Sequence, residues 1–176
     1  MPLKLVENRV RWVPLSEAVL KNYFHGTGSM FEKFTRPGIG KHGVGYYFTP
    51  SESEAQTFAK TLYGAGEGER KSRVLQVELN VNQPFNTMNV EHATQVAAHF
   101  DHEYIVPKRA GGPKEHYHFL EQQLRVRKTV SGPKDKSNFN DKIKEAGFDA
   151  VEYDFMGHMI VFSPEQIKIV GSHFLK

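Results

Sequence analysis

The sequence contains no cysteine, and this absence excludes several kinds of chemistry at once. Disulfide bonds, thiolate nucleophiles and zinc sites built on cysteine cannot form in this chain. Long apolar runs are also missing: residues 1–12 alternate charged and apolar side chains and lack the apolar core that a signal peptide or a membrane span needs. We therefore expect no membrane contact and a cytoplasmic site of action, in the producing cell or in a target cell that receives the protein.

The sequence also lacks a large excess of charge of one sign. The 23 basic and 20 acidic side chains leave a formal net charge of +3. They are scattered, apart from a basic-leaning region between Lys108 and Lys136, which could touch nucleic acid or an acidic partner but is more simply a solvated surface. With 176 residues, 39% of them apolar, we expect one globular domain over residues 1–176.

Apolar periodicity predicts a mixed domain in which helices do not alternate regularly with strands. The clearest strand has apolar residues from Leu75 to Val81 alternating with polar ones. Further strands are predicted at Asn22–His25, Tyr46–Phe48, Phe148–Tyr153, His158–Phe162 and Gln166–Val170. Helices are predicted at Leu15–Leu20, Val90–Phe100, Glu115–Lys128 and Asn138–Ala146. The fold class is therefore α+β.

Another helix has a start signal of its own. Thr49 is the expected N-cap, Pro50 occupies the first helical position, and Glu52 completes a capping box. Apolar residues at helical spacing then predict a buried stripe along this helix. The stripe consists of Ala55, Phe58, Ala59 and Leu62.

The glycines Gly38, Gly40 and Gly43 have the spacing of the dinucleotide-binding fingerprint. That fingerprint requires a strand before it and a helix after it, so that the helix N-terminus faces the pyrophosphate. Here Arg36-Pro37 precedes the glycines and the aromatic strand Tyr46–Phe48 follows them. We therefore interpret the segment as a loop that uses the conformational freedom of glycine.

Three short blocks together carry a family resemblance. They are Phe24–Thr27 (FHGT), Gly43–Thr49 (GVGYYFT) with Ala55 on the following helix, and Ile160–Ile167 (IVFSPEQI). In this order they resemble the ADP-ribosyltransferase superfamily of the diphtheria-toxin and poly(ADP-ribose) polymerase type, most of all its small domains in phage and bacterial polyvalent or toxin proteins. The resemblance runs from about Tyr23 to Val170. It implies a split β-sheet core with an NAD cleft, flanked by short helices.

The resemblance also implies roles for individual residues. His25 would hold the adenine-side ribose of NAD, Gly26 would pair with the nicotinamide carboxamide, and Tyr47 would stack on the nicotinamide ring. The rest of the expected NAD-binding set is Thr27, a carboxamide hydrogen bond from Ser51 or Ser53, and Phe58 on the other side of the ring.

These residue types suit NAD on chemical grounds. A neutral imidazole can donate to or accept from a ribose hydroxyl. An aromatic face attracts a cationic ring by about 0.5–2 kcal/mol. Taken singly, however, His25 and Tyr47 are more typical of a satisfied strand-end histidine and a core aromatic; the NAD site is predicted from the blocks taken together.

One position departs from the family pattern. Where the active family has a glutamate at the start of the last catalytic strand, this sequence has His158. A neutral imidazole offers a developing cation a lone pair instead of a negative charge. Three outcomes stay open: His158 acts as a weaker polar contact, consistent with mono-ADP-ribosylation; Glu152 or Glu165 reaches the site; or the domain binds NAD without turning it over.

The histidine spacing does not predict a metal site. His99 with His102 and His116 with His118 are the nearest groupings, and neither has a third ligand at a typical spacing. We therefore expect NAD as substrate and no metal.

The function predicted from the resemblance is NAD-dependent mono-ADP-ribosyl transfer. NAD would be cleaved, nicotinamide released, and ADP-ribose passed to a macromolecular acceptor, either protein or nucleic acid. The alternatives are an NAD glycohydrolase and a non-catalytic module that binds NAD or ADP-ribose.

Overall fold

A computed structural model describes residues 22–63, 72–107, 115–126, 137–153 and 156–175. These residues form eight strands and four helices, so the predicted α+β class is confirmed. The helix predicted at Leu15–Leu20 lies outside the described residues, as does much of the basic-leaning region between Lys108 and Lys136.

The elements follow one another in an irregular order. The strands are β1 (Asn22–Thr27), β2 (Gly38–Gly40), β3 (Gly43–Phe48), β4 (Arg73–Leu79), β5 (Pro84–Asn86), β6 (Ala150–Tyr153), β7 (His158–Val161) and β8 (Ile167–Phe174). The helices are α1 (Glu52–Tyr63), α2 (Val90–His99), α3 (His116–Val126) and α4 (Ser137–Glu145). A single 3-10 turn, Pro164–Gln166, precedes β8.

The strands make two separate sheets. The smaller sheet has the order β1-β4-β8 and is antiparallel throughout. The larger sheet has the order β2-β3-β7-β6-β5, and its single parallel pair is β5 with β6. This is the split sheet that the family resemblance implies.

The smaller sheet is organised around its central strand, β4. Leu75, Val77 and Leu79 are at most 4% exposed, whereas Gln76 and Glu78, which alternate with them, are only partly buried. Full burial of such an aliphatic side chain stabilises the fold by about 1.5–3 kcal/mol. The alternation seen in the sequence therefore corresponds to one face of β4 that is inside and one that is partly solvated.

The larger sheet shares its core with helices α2, α3 and α4. The fully buried side chains of this core come from strands β5, β6 and β7 and from the three helices. They include Phe85, Val96, Leu120, Phe139, Ile143, Val151 and Ile160. Within the described residues, no helix combines the length and the apolar character that crossing a bilayer requires.

One pair of residues joins the backbones of the two sheets, whose side chains also share a core that includes Leu75, Phe48 and Val161. The backbone N–H of Phe24 donates to the carbonyl oxygen of Thr49 at 2.8 Å, and the N–H of Thr49 donates back to Phe24 at 3.0 Å. Phe24 lies within β1 and Thr49 directly follows β3. This bridge places the end of one strand beside the end of the other.

Helix α1 starts later than the capping pattern predicted. It begins at Glu52, and the hydroxyl of Ser51, not of Thr49, accepts from the N–H of Glu54 at 3.3 Å. Thr49 stays extended because its backbone is paired with Phe24. The predicted stripe holds for Ala55 and Ala59, which are fully buried, but is wrong for Phe58, which is 47% exposed.

The structure also contains short strands that the sequence did not reveal. The glycine segment interpreted as a loop contains β2, which pairs with β3, and β5, which pairs with β6, lies where no strand was predicted. Strands of three residues are too short for an alternation of apolar and polar residues to be recognised in the sequence. The final strand, β8, extends beyond the predicted end at Val170 because it pairs with β4 as far as Phe174.

Gly26 lies where β1 crosses α1, and the crossing leaves no room for a side chain. A Cβ on Gly26 would lie 2.0 Å from the carbonyl oxygen of Ala55, whereas one on Gly38 would lie 3.7 Å from its nearest neighbour. We expect Gly26→Ala to lower the free energy of unfolding by about 3 kcal/mol or more, the upper end of overpacking costs. Urea denaturation measures this, with Gly38→Ala as the control at roughly 0.5 kcal/mol or less. Equal losses in the two variants would contradict the close approach.

Candidate functional site

A pocket opens where the two sheets and helix α1 meet. Its volume is about 760 Å³, within the roughly 300–1,000 Å³ of typical cofactor sites. Its walls come from both sheets and from α1, and they include Phe24, His25, Gly26, Tyr47, Ala55, Phe58, Tyr153 and His158. The pocket therefore contains residues from the first two of the three sequence blocks, together with His158, two residues before the third.

His25 is held in one protonation state and one orientation. Its Nδ1–H donates to the carbonyl oxygen of Tyr47 at 2.9 Å, which leaves the lone pair on Nε2. Burial lowers the pKa of His25 below the ordinary 6.5; the hydrogen bond to Tyr47 opposes this shift and the charge of Arg73 adds to it. The imidazole is therefore neutral at pH 7.

Tyr47 presents its ring to the same pocket. Its hydroxyl donates to the carbonyl oxygen of Gly43 at 2.6 Å, and burial raises its pKa to about 12, so the phenol stays protonated. A Cβ on Gly40 would lie 2.5 Å from this side chain, so the β2–β3 hairpin can close over the ring only because Gly40 has no side chain. Tyr153 meets the ring edge-on at 6.2 Å between centroids.

His158 is paired with a carboxylate that the sequence analysis missed. Its Nε2 lies 2.7 Å from Oε2 of Glu54, in the first turn of α1, and the hydroxyl of Thr49 donates to the same oxygen at 2.6 Å. The ring of His158 stacks on Tyr153 at 5.2 Å and 16°. His158 is 6% exposed and lines the pocket. His158 of strand β7 and Glu54 of helix α1 thus form an imidazole–carboxylate pair at the pocket.

No spacing in the sequence would have found this pair, since Glu54 and His158 are 104 residues apart. The signal that existed was weaker: Glu54 is an acidic residue in the first turn of the helix that follows the Tyr47 strand. An acidic residue there is common for reasons of the helix dipole alone.

The remaining predicted NAD-contacting residues divide into two groups. Gly26 and Phe58 line the pocket. Thr27 is 2% exposed and its hydroxyl accepts from the N–H of Ser29. Ser51 and Ser53 hydrogen-bond to each other at 3.0 Å at the start of α1, and neither they nor Thr27 are among the lining residues.

Neither alternative carboxylate lies in the pocket lining. Glu152 accepts from the side-chain amide of Asn86 at 3.0 Å, because β6 pairs with β5 and turns this residue towards it. Glu165 lies in the exposed 3-10 turn and accepts from the hydroxyl of Ser163. Glu54 is the carboxylate that the fold brings to His158 instead.

Two of the histidines grouped in the sequence, His102 and His116, form hydrogen bonds within the protein. His102 donates from Nδ1 to the carbonyl oxygen of Glu103, and His116 hydrogen-bonds to the hydroxyl of Tyr104 at 2.7 Å. His118, however, lies beside His42 and Glu115.

Comparison with known proteins identifies the family. The family model described as ADP-ribosyltransferase in polyvalent proteins matches residues 17–173. A search of curated proteins found no match to the chain. The chain belongs to this ADP-ribosyltransferase family, which confirms the predicted family and fold and supports ADP-ribosyl transfer in general; ADP-ribosyltransferases use NAD as their substrate.

The neutral state of His25 has a consequence for stability. Because its pKa is lowered in the folded chain, its contribution to the free energy of unfolding is complete above about pH 6.5 and is lost as the pH falls towards the lower folded value. Urea denaturation at several pH values should therefore give a shallower pH slope for His25→Gln than for the wild type. Some slope should remain, because burial also lowers the pKa of His92. Identical slopes would show that the imidazole is not held neutral.

Proposed function

We propose that this member of the family cleaves NAD in the pocket and transfers a single ADP-ribose unit to a macromolecular acceptor, protein or nucleic acid. One observation carries the proposal: His25 and Tyr47, from different sheets, line the same pocket and are joined by a 2.9 Å hydrogen bond. The pocket is large enough for a cofactor and combines aromatic faces with a few fixed polar groups.

His25 is suited to hold a ribose. With Nδ1–H committed to Tyr47, Nε2 of the neutral ring is an acceptor for a hydroxyl group. We assign it to the adenine-side ribose of NAD. Protonation would replace this acceptor by a donor, and the burial that lowers the pKa of His25 prevents that at neutral pH.

Tyr47 is suited to hold the nicotinamide ring. Its hydroxyl is tied to Gly43, so the ring has one orientation before any ligand arrives. Its face attracts the cationic nicotinamide by about 0.5–2 kcal/mol. Phe58, 47% exposed on α1 and part of the pocket lining, is placed to cover the bound ring from another side.

The pair of His158 and Glu54 takes the place of the glutamate found in active relatives. As the bond from nicotinamide to ribose breaks, its electron pair neutralises the pyridinium nitrogen and the ribose carbon becomes cationic. The carboxylate of Glu54, which is paired with the imidazole of His158, stabilises that cation. Its attraction is weaker than that of a glutamate in direct contact with the ribose, because the imidazole increases the distance between the charges. The acceptor attacks the ribose carbon from the opposite face, and its proton passes to the imidazole, where Glu54 stabilises the resulting imidazolium.

Labelled NAD tests the reaction itself. Incubation of the protein and candidate acceptors with NAD labelled in the adenosine part should place the label on protein or nucleic acid and release nicotinamide. Free ADP-ribose alone would point to hydrolysis. Saturable binding without nicotinamide release would identify a binding module, for which the replacement of glutamate by His158 is the specific argument.

In the same preparation, His25→Ala and Tyr47→Ala should each weaken NAD binding by about 1–3 kcal/mol, measured by calorimetry. His173→Ala, an exposed histidine of β8, is the control and should bind NAD like the wild type. Unchanged binding in a folded variant lacking both His25 and Tyr47 would refute the assignment of the site.

Glu54→Gln separates positioning from binding. We expect it to slow nicotinamide release roughly 100-fold, within the range for assisted proton transfer, and to shift the pH profile of the rate while NAD affinity stays unchanged. The matched control is Glu52→Gln, two residues earlier on α1, whose carboxylate pairs with His173 at 3.3 Å on the surface. Equal rates for the two variants would mean that the carboxylate beside His158 has no part in the reaction.

A further inference from the structure

Three side chains with metal-binding atoms converge at one end of the pocket. His42 lies between β2 and β3, Glu115 directly precedes α3, and His118 lies in the first turn of α3. One ligand atom from each residue lies within 4.8 Å of the other two. His42 and Glu115 line the pocket itself.

The carboxylate of Glu115 is shared between the two imidazoles. Nε2 of His42 contacts Oε1 of Glu115, and Nε2 of His118 lies 4.0 Å from Oε2. The two rings stack at 5.1 Å between centroids and 22°. Two imidazole nitrogens and one carboxylate are the ligand set of many zinc sites with an open position.

A second carboxylate supports one of these ligands. Oε2 of Glu121, one turn further along α3, lies 3.5 Å from Nδ1 of His118. Metal-binding histidines characteristically have their other ring nitrogen oriented in this way, which leaves Nε2 for the ion. His42 is fixed differently: it is 3% exposed and stacks on Tyr153 at 4.6 Å.

We propose that His42, Glu115 and His118 bind one divalent transition-metal ion of the zinc class, with an open coordination position towards the pocket. The direction follows from the lining, which includes His42, Glu115 and Tyr153 but not His118. An oxygen ligand from the pocket, such as water or a phosphate oxygen, would complete the coordination. The site is independent of the NAD assignments made above.

Binding requires two opposite adjustments. Bonds of about 2.0–2.1 Å in a tetrahedral site hold ligand atoms roughly 3.4 Å from one another, so Nε2 of His42 and the carboxylate of Glu115, now in direct contact, would move apart to admit the ion, while Nε2 of His118, 4.0 Å from Oε2 of Glu115, would move closer. His118 is 33% exposed and can rotate to close the difference. Lys41, whose Nζ lies 3.3 Å from Glu115, is 70% exposed and can turn into solvent when the ion arrives.

Sequence spacing hid this set because it joins two distant segments. Glu115 and His118 stand three residues apart, on one face of the helix start, in the arrangement that carboxylate-rich metal sites use. The third member, His42, is 73 residues from Glu115. A search for histidines close to one another in sequence finds His116 instead of His42.

Calorimetric titration of the full chain, freed of metal by a chelator, with zinc chloride tests the proposal without NAD. We expect one equivalent to bind, with affinity reduced at least 100-fold in His118→Ala and about 10- to 100-fold in Glu121→Gln. Cobalt(II) should give the intense visible absorption of a tetrahedral nitrogen–oxygen site in the wild-type chain. This spectrum needs no variant and therefore does not depend on variants folding.

The control is His99→Ala, which removes an exposed histidine of α2 and should leave zinc affinity unchanged. Zinc binding that is absent from the wild type, or equal in His118→Ala and His99→Ala, would overturn the site. Either result would leave NAD binding through His25 and Tyr47 untouched, and loss of NAD binding would equally leave the zinc titration unaffected.

Discussion

The site depends on the pair of backbone hydrogen bonds between Phe24 and Thr49, because these bonds join the backbones of the two sheets beside the pocket. His25 follows Phe24 by one residue and Tyr47 precedes Thr49 by two, so the bridge sets their separation. The side chain of His25 then donates to the carbonyl oxygen of Tyr47 and adds a third bond to the same junction. A pocket between two sheets needs them to diverge, and a bridge of one residue pair joins them while leaving that space open.

Glycine makes this junction possible in a way that differs from its expected role. Gly26 was expected to let the ligand's carboxamide approach the backbone. The absence of a side chain also lets the backbone of α1 approach, because a Cβ on Gly26 would lie 2.0 Å from the carbonyl oxygen of Ala55. Gly45 allows the same kind of contact, since its Cβ would lie 2.2 Å from Ile160 of the neighbouring strand. The small side chains of Ala55 and Ala59, both fully buried, likewise allow α1 to pack closely against β1. A motif interpreted through ligand chemistry is therefore also a packing motif.

The sequence predicted what local chemistry determines and missed what distant pairing determines. The alternation in β4 and the helical spacing of α2 and α4 record burial of one face, so they could be recognised without a structure. The strands β2 and β5 exist because longer partners pair with them. Helix α1 begins at Glu52 and not directly after Thr49, because Thr49 is held in the bridge. The partners of His158 and His42 could not be predicted, since they lie 104 and 73 residues away.

The replacement of glutamate by His158 is best understood through charge. A neutral imidazole alone would leave this position without the negative charge that the family's glutamate offers a cationic ribose. In the proposed reaction Glu54, at 2.7 Å from that imidazole, supplies the carboxylate from a helix instead of a strand. Thr49 donates to the same carboxylate, so the residue that joins the sheets also orients the charge. An imidazole placed between carboxylate and substrate weakens the direct Coulomb attraction with distance, but it adds a group that can accept a proton, which a single glutamate supplies only by giving up its charge.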